Sequence, residues 1–157
     1  MTEFRIRLGL HADLPALRDL YRSASLSNSG NVAALVAHPE VLFLSDESIR
    51  AGRSRVATST SDQIVGFATT LRVGRVLELE DLFVDPDWMR RGVGSHLLRA
   101  VVVIAARADV QRVAVTANPH ALAFYENVGF VHDGEVETRF GAGMRMHLDV
   151  ASGPDAP

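Results

Sequence analysis

The stretch LEDLFVDPDWMRRGVGSHLL, Leu79 to Leu98, runs from an apolar strand through a polar turn into a helix. Asp85-Pro86 ends the apolar run, Gly92-Val93-Gly94 follows, and Leu97-Leu98 opens a new apolar stripe. Glycines at such a turn let backbone N–H groups swing toward a ligand, and the start of a helix adds partial positive charge. A pyrophosphate can be cradled there without a metal, with Arg90 and Arg91 adding charge-assisted contacts. Taken alone, Gly-x-Gly ahead of a helix equally suits a plain strand-to-helix connection. Two nucleotide motifs are excluded. No Gly-x-x-x-x-Gly-Lys occurs, and Leu97 stands where a dinucleotide fingerprint needs its third glycine.

Working outward, Val76 to Val84 reads as the strand before the turn and Gly94 to Ala108 as the helix after it. Leu97, Val101, Ile104 and Ala108 form one stripe, while Ser95, His96, Arg99 and Arg107 fall opposite. The β-branched run Val101 to Ile104 favours strand by propensity, but length and the 3.6-residue period decide for helix. Upstream, Arg55–Thr60 and Gln63–Leu71 flank Ser61-Asp62 as a hairpin. Phe4, Ile6 and Leu8 alternate with arginines as a first strand. Asp13 and Pro15 then suit a helix start, with Leu14, Leu17, Leu20, Tyr21 and Ala24 as its stripe and the polar run from Ser23 to Gly30 as its end. Two short helices parted near His38-Pro39 are expected over 31–51. Downstream come a strand Arg112–Thr116, a short helix from Asn118-Pro119 to Asn127 capped by Gly129, and strands Phe130–Glu137 and Met144–Val150. Arg139 to Gly143 is expected to be a loop. The order predicts a mixed α+β sheet in one domain over 1–150, with a disordered polar tail over 151–157.

The composition sets outer limits. With 157 residues, 47% hydrophobic and 22% charged, the chain can bury the core of an ordinary domain. A net charge of -3 argues against a dedicated nucleic-acid binder. No cysteine is present, which excludes disulfides, thiolate metal sites and a cysteine nucleophile. The six histidines lack metal-ligand spacing such as His-Glu-x-x-His, so no metal site is expected. MTEFRIRLGL has no signal-peptide stretch, and Ala100 to Ala106 is too short to span a bilayer. A cytoplasmic protein with no membrane partner is therefore expected.

A second stretch, TANPHALAFYENVGF from Thr116 to Phe130, becomes specific in combination with the first. Together the two resemble the GNAT superfamily of N-acetyltransferases, most strongly from Leu77 to Phe130. LFVDPDWMRRGVGSHLL looks like that family's coenzyme-A-binding strand, pyrophosphate loop and helix. NPHALAFYENVGF looks like its Asn-x-x-Ala-x-x-Phe-Tyr-x-x-x-Gly-Phe signature, with every quoted position present. One departure is Met89, where the family loop usually starts with Gln or Arg. Because backbone N–H groups do most of the phosphate binding, coenzyme A binding is expected to survive it.

The resemblance implies a sheet splayed between its fourth and fifth strands, with the pantetheine arm of acetyl-CoA lying in the opening. Backbone groups of Leu82, Phe83 and Val84 would then pair with the arm, and Met89, Arg90, Arg91, Gly92, Val93, Gly94 and Ser95 would face the pyrophosphate. Asn118 would contact the arm, and Tyr125 would hydrogen-bond the sulfur, where a phenol can protonate the departing thiolate. Asn118 also reads as an ordinary helix cap, and Tyr125 as a packed core tyrosine. An alkylamine is protonated at neutral pH and must lose its proton before attacking. Glu78 and Glu80 lie two apart on one strand, hence on one face, and either suits that base role or solvation alone. Asp81 faces the other way and is expected to be structural. The implied activity is acetyl-CoA-dependent N-acetyl transfer to a primary amine of a small molecule or peptide. The alternative is a non-catalytic acyl-CoA sensor or regulatory module. Pairing of two copies as a homodimer stays open.

Overall fold

Alternation in strands and a 3.6-residue stripe in helices give each segment one apolar face, and burying those faces builds the fold. The computed structural model describes residues 3–28, 44–138 and 141–150. Its strands are β1 (Phe4–Leu8), β2 (Ser54–Ser59), β3 (Ile64–Val73), β4 (Val76–Val84), β5 (Arg112–Ala117), β6 (Val131–Thr138) and β7 (Gly141–Asp149). The helices are α1 (Leu14–Asn28), α2 (Glu47–Arg50), α3 (Val93–Arg107) and α4 (Leu122–Val128). The strands join in the order β1-β2-β3-β4-β5-β7-β6. β4 and β5 are parallel, so a crossover must link them, and α3 is that crossover. β1–β2, β2–β3, β5–β7 and β6–β7 are antiparallel.

The chain divides into two compact units, Met1–Thr69 with Asp81–Leu98, and Thr70–Glu80 with Arg99–Pro157. In the first, Leu14, Leu17, Leu20 and Ala24 of α1 bury against Leu44, Ile49, Val56 and Phe67, with Tyr21, Ile64 and Phe83 packed alongside. Each large apolar side chain so buried contributes about 1.5–3 kcal/mol. In the second, Leu77, Leu79, Val113, Val115, Tyr125, Phe130 and Met146 are among the buried residues. The parallel β4–β5 register runs from Val76↔Arg112 to Leu79↔Val115, although β4 continues to Val84 and β5 stays paired with β7 to Ala117.

Three local expectations change. The polar segment Ser23–Asn28 stays helical, because Ala24 within it is fully buried and tertiary packing outweighs weak propensity. Asp13 acts as a brace. Its carboxylate takes both Arg7 guanidinium nitrogens, at 2.7 and 2.9 Å, and the Leu10 N–H at 2.7 Å. Gly141 to Gly143 belong to β7, opposite Thr138, Glu137 and Val136 of β6. Of the region expected to hold two short helices, Glu47–Arg50 is helical and the part around His38-Pro39 lies outside the described residues. So do Arg139, Phe140 and the tail 151–157.

Candidate active site

In the first unit, the end of β4 leads into a turn that its own hydrogen bonds shape. The Asp85 N–H donates to Val65 O at 2.8 Å, tying the turn to β3, and Trp88 N–H donates to Asp85 O at 2.8 Å. Asp85 Oδ1 accepts from the Asp87 N–H at 2.9 Å, and Pro86 begins a short 3₁₀ turn through Trp88. Met89 is extended and exposed. Arg90 then takes φ +65° and Gly92 φ +86°. The left-handed region costs glycine little, but costs a residue with a Cβ about 1–2 kcal/mol.

The start of α3 is fixed from inside. Val93 is buried, and Gly92 O accepts from the His96 N–H at 3.0 Å and sits 2.9 Å from His96 Nδ1. The His96 ring meets Phe4 edge-on with centroids 4.8 Å apart. The ladder of α3 thus begins with His96, and the N–H groups of Val93, Gly94 and Ser95 precede it, as first-turn donors do. Together with about half a unit charge at a helix N-terminus, such donors suit an anion. Arg91 stays close to this turn, its guanidinium 4.6 Å from the Trp88 ring centroid and 3.8 Å from Glu3. Phe83, two residues before Asp85, stacks with Phe67 at 5.7 Å and meets Tyr21 edge-on at 5.0 Å, which fixes the strand carrying Leu82 and Val84. Asp81 accepts a short hydrogen bond from Thr69 Oγ1, in keeping with its structural reading.

In the second unit, Asn118 caps the turn ahead of α4 by accepting from the Ala121 N–H at 3.1 Å. Gly129 closes α4 at φ +113°, and the Phe130 N–H donates to Tyr125 O at 3.0 Å. Tyr125 is buried, edge-on to Phe124 at 5.0 Å and to Phe130 at 5.3 Å. Desolvation pushes its phenol well above the ordinary value, so it keeps its proton. Among the described residues no group hydrogen-bonds that hydroxyl.

On β4 the two candidate carboxylates differ. Leu77 and Leu79 are buried, and Glu78 and Glu80 occupy the alternate positions. Glu80 is exposed. Glu78 is held through both carboxylate oxygens by Arg145 of β7, whose Nη1 also donates to Thr116 Oγ1 of β5 at 2.9 Å. That hydrogen bond raises Arg145 above its ordinary value, keeping it charged. Sequence reasoning overlooked Arg145, although it alternates with Met144 and Met146 and thus had to leave the core. It also overlooked His96 and the Trp88–Arg91 contact. Among the described residues no group of three or more His, Asp or Glu could hold a metal ion. No helix there is long and apolar enough to cross a membrane.

Comparison with known proteins places the chain in one family. The acetyltransferase (GNAT) domain family matches residues 42–148. N-alpha-acetyltransferase RimI of Mycobacterium tuberculosis is 32% identical over 105 residues, covering 64% of this chain and 61% of its own length. An uncharacterised Mycobacterium leprae protein has the same identity, but the chain spans only 27% of it. A probable glucosamine 6-phosphate N-acetyltransferase of rice is 30% identical over 127 residues, covering 81% of this chain and 75% of its own. Among solved structures, the PaiA N-acetyltransferase of Thermoplasma acidophilum in complex with coenzyme A has a TM-score of 0.73 at 16% identity, over 93% of this chain and 98% of that one. The ribosomal-protein-S18-alanine N-acetyltransferase of Escherichia coli has a TM-score of 0.70 at 22% identity, over 98% and 99%. These last two likenesses concern the fold.

Proposed function

The chain belongs to the GNAT acetyltransferase family, and we propose that it transfers an acetyl group from acetyl-CoA to a primary amine of a small molecule or peptide by direct attack. The observation that carries this reading is the turn at the start of α3. Arg90 and Gly92 turn left-handed immediately before α3, and the first N–H groups of that helix suit a pyrophosphate. A solved relative in fold, PaiA, is a complex with coenzyme A, which supports the same ligand here.

The roles follow from the residues. N–H groups of Val93, Gly94 and Ser95 hold the pyrophosphate, with Arg90 and Arg91 adding charge. Met89 lends only its backbone. Backbone groups of Leu82, Phe83 and Val84 pair with the pantetheine amides, as an added strand pairs with a sheet. Asn118 contacts the same arm. A carboxylate on the Glu78/Glu80 side of β4 takes the proton of the amine. As the amine nitrogen bonds to the acetyl carbon and the carbon–sulfur bond breaks, the Tyr125 phenol gives its proton to the thiolate. The names of the relatives suggest two acceptor classes, the α-amine of a peptide and the amine of a phosphorylated sugar.

The test is calorimetric titration with coenzyme A, followed by thiol release from acetyl-CoA over a panel. The panel includes peptides starting with alanine, glucosamine 6-phosphate, polyamines and a lysine peptide. The chain has no lysine, so none of its own side chains competes as an acceptor. Micromolar binding with release for one acceptor class is expected. Binding without release for any amine would favour the acyl-CoA sensor, and failure to bind would remove both readings.

A further inference from the structure

Arg91, in the turn ahead of α3, is engaged from two sides within the first unit. Its guanidinium lies over the Trp88 ring, 4.6 Å from the centroid, and its Nη1 lies 3.8 Å from a Glu3 carboxylate oxygen. Glu3 comes just before β1, and the next residue, Phe4, is buried with its ring edge-on to His96. His96 in turn meets Gly92 O through its N–H and its ring Nδ1, at 3.0 and 2.9 Å. The chain entering β1 thus touches the turn twice, through Phe4 at the start of α3 and through Glu3 at Arg91. The first contact is packed and the second is not. The side chains of Glu3 and Arg91 are 63% and 49% exposed, and at 3.8 Å the pair is held by charge alone, beyond hydrogen-bond range. Such an exposed ion pair shifts an equilibrium by at most about 5-fold. A guanidinium on a phosphate makes shorter, charge-assisted hydrogen bonds and wins that competition.

We propose that Glu3 is an internal stand-in for a ligand phosphate: its carboxylate and the Trp88 ring hold Arg91 beside the turn, and the pyrophosphate of coenzyme A displaces Glu3 while Trp88 keeps the guanidinium in place. A guanidinium engaged over a ring face keeps its in-plane N–H donors for an anion. Glu3 and Trp88 are therefore positioning residues, each acting on the ligand through Arg91. Their effects have opposite signs. Glu3 lowers affinity because it must be displaced, and Trp88 raises it because Arg91 is already placed when the phosphate arrives. This inference rests on the coenzyme A reading of the same turn and adds to it a built-in competitor.

The experiment titrates coenzyme A and dephospho-coenzyme A into wild type, Glu3→Gln, Trp88→Leu, Arg91→Gln and the double variants Glu3→Gln/Arg91→Gln and Trp88→Leu/Arg91→Gln. Calorimetry gives the affinities. Trp88 is the only tryptophan in the chain, so its fluorescence gives a second measure wherever the ring is kept. Glu3→Gln is expected to bind coenzyme A about 2–5-fold tighter at low ionic strength. The gain should disappear near about 1 M salt, where the Debye length is about 3 Å. Dephospho-coenzyme A, which keeps the pyrophosphate, should show the same gain. Trp88→Leu should bind about 2–5-fold weaker. In the Arg91→Gln background both effects should vanish, because each passes through that guanidinium. A carboxylate that merely repels the ligand from a distance would give the same gain with or without Arg91. A tryptophan that only packs the turn would weaken both backgrounds equally. Either result would overturn the proposal, as would a gain confined to coenzyme A, which would put Arg91 on the 3′-phosphate. Should Trp88→Leu fail to fold, the Glu3/Arg91 cycle decides alone. Wild type that binds coenzyme A while Glu3→Gln binds no better overturns this inference only; wild type that does not bind it refutes the coenzyme A reading as well.

Discussion

Replacing Gly66 with alanine should weaken both the fold and coenzyme A binding, although Gly66 is not proposed to touch the ligand. A Cβ there would sit 2.8 Å from Val93 Cγ1, 3.0 Å from Phe83 O and 3.1 Å from Leu97 Cδ1. Two of these are tips of side chains at the start of α3, but the third is backbone of the strand proposed to pair with pantetheine. Val93 can rotate only within a fully packed site, so part of the clash must move the Phe83 carbonyl. An extra methyl in a packed core costs about 1–3 kcal/mol. The stiffer unfolded chain returns about 0.4–1 kcal/mol. The net of roughly 1–2 kcal/mol corresponds to a fall in Tm of about 2–8 °C for a chain of this size. Coenzyme A affinity should fall by about 3–10-fold, equivalent to roughly 0.7–1.4 kcal/mol of misplaced backbone. Gly74→Ala is the control. At φ +62° with nothing within 4 Å, it costs about 1–2 kcal/mol through backbone strain alone and should leave affinity intact. Thermal unfolding and calorimetry on both variants measure the difference. A Gly66→Ala protein as stable as wild type, or one binding coenzyme A no worse than Gly74→Ala, would refute the reasoning.

Gly94→Glu places a bulky anion in the first turn of α3 and should abolish measurable coenzyme A binding in a folded protein; calorimetry that matches wild type would remove this turn from the site. Arg90→Gly relieves a non-glycine residue at φ +65° and should raise Tm, while coenzyme A affinity drops and loses part of its salt dependence. An affinity equal to wild type at low salt would exclude Arg90 as a phosphate contact. Tyr125→Phe keeps the packed ring and removes the donor, so binding should persist while the single-turnover rate falls by about 10²-fold or more. A rate equal to wild type would exclude Tyr125 from the chemistry.

The sequence made most of the fold legible because it buries one face at a time. The 3.6-residue period proved stronger than the strand propensity of Val101 to Ile104, although the face most deeply buried is Leu97, Leu98, Val101 and Ala105, with Ile104 and Ala108 of the expected stripe only half-buried. Met146 alternating with Arg145 and His147 likewise placed β7 with its core face correctly set. What stayed hidden depended on partners distant in sequence. Arg145 and Glu78 are 67 positions apart, and strand alternation tells which face each occupies, not which charge meets it. Gly141 to Gly143 read as a loop because glycine weakens strands, yet β6 supplies them with a ladder. The left-handed turn at Arg90 was invisible for a related reason. Arginine gives no local sign of φ above zero, and only the adjoining Gly92 did.

The burial of Tyr125 links stability to chemistry through one proton. Desolvation raises its phenol above the ordinary 10.0, so the folded state holds the proton to higher pH than the unfolded chain does. Above pH 10 the unfolded state therefore binds fewer protons than the native one, and stability falls as pH rises; below pH 10 the contribution is fully present. The limiting slope is about 1.4 kcal/mol per pH unit. This chain is well suited to showing it. It has no lysine and no cysteine, and its other tyrosine is Tyr21. Urea unfolding between pH 9 and 12, chosen around the ordinary phenol range, should therefore give a flatter stability curve for Tyr125→Phe than for wild type or Tyr21→Phe. Equal curves for wild type and Tyr125→Phe would mean that the phenol is not desolvated. The same desolvation keeps the proposed acid protonated while making it a weaker donor, so the transfer must be driven by the basicity of the departing thiolate. A phenol that stays protonated throughout neutral and mildly alkaline pH always has a proton for the thiolate. The pH dependence of transfer should then follow the carboxylate and the amine, with no alkaline limb from Tyr125.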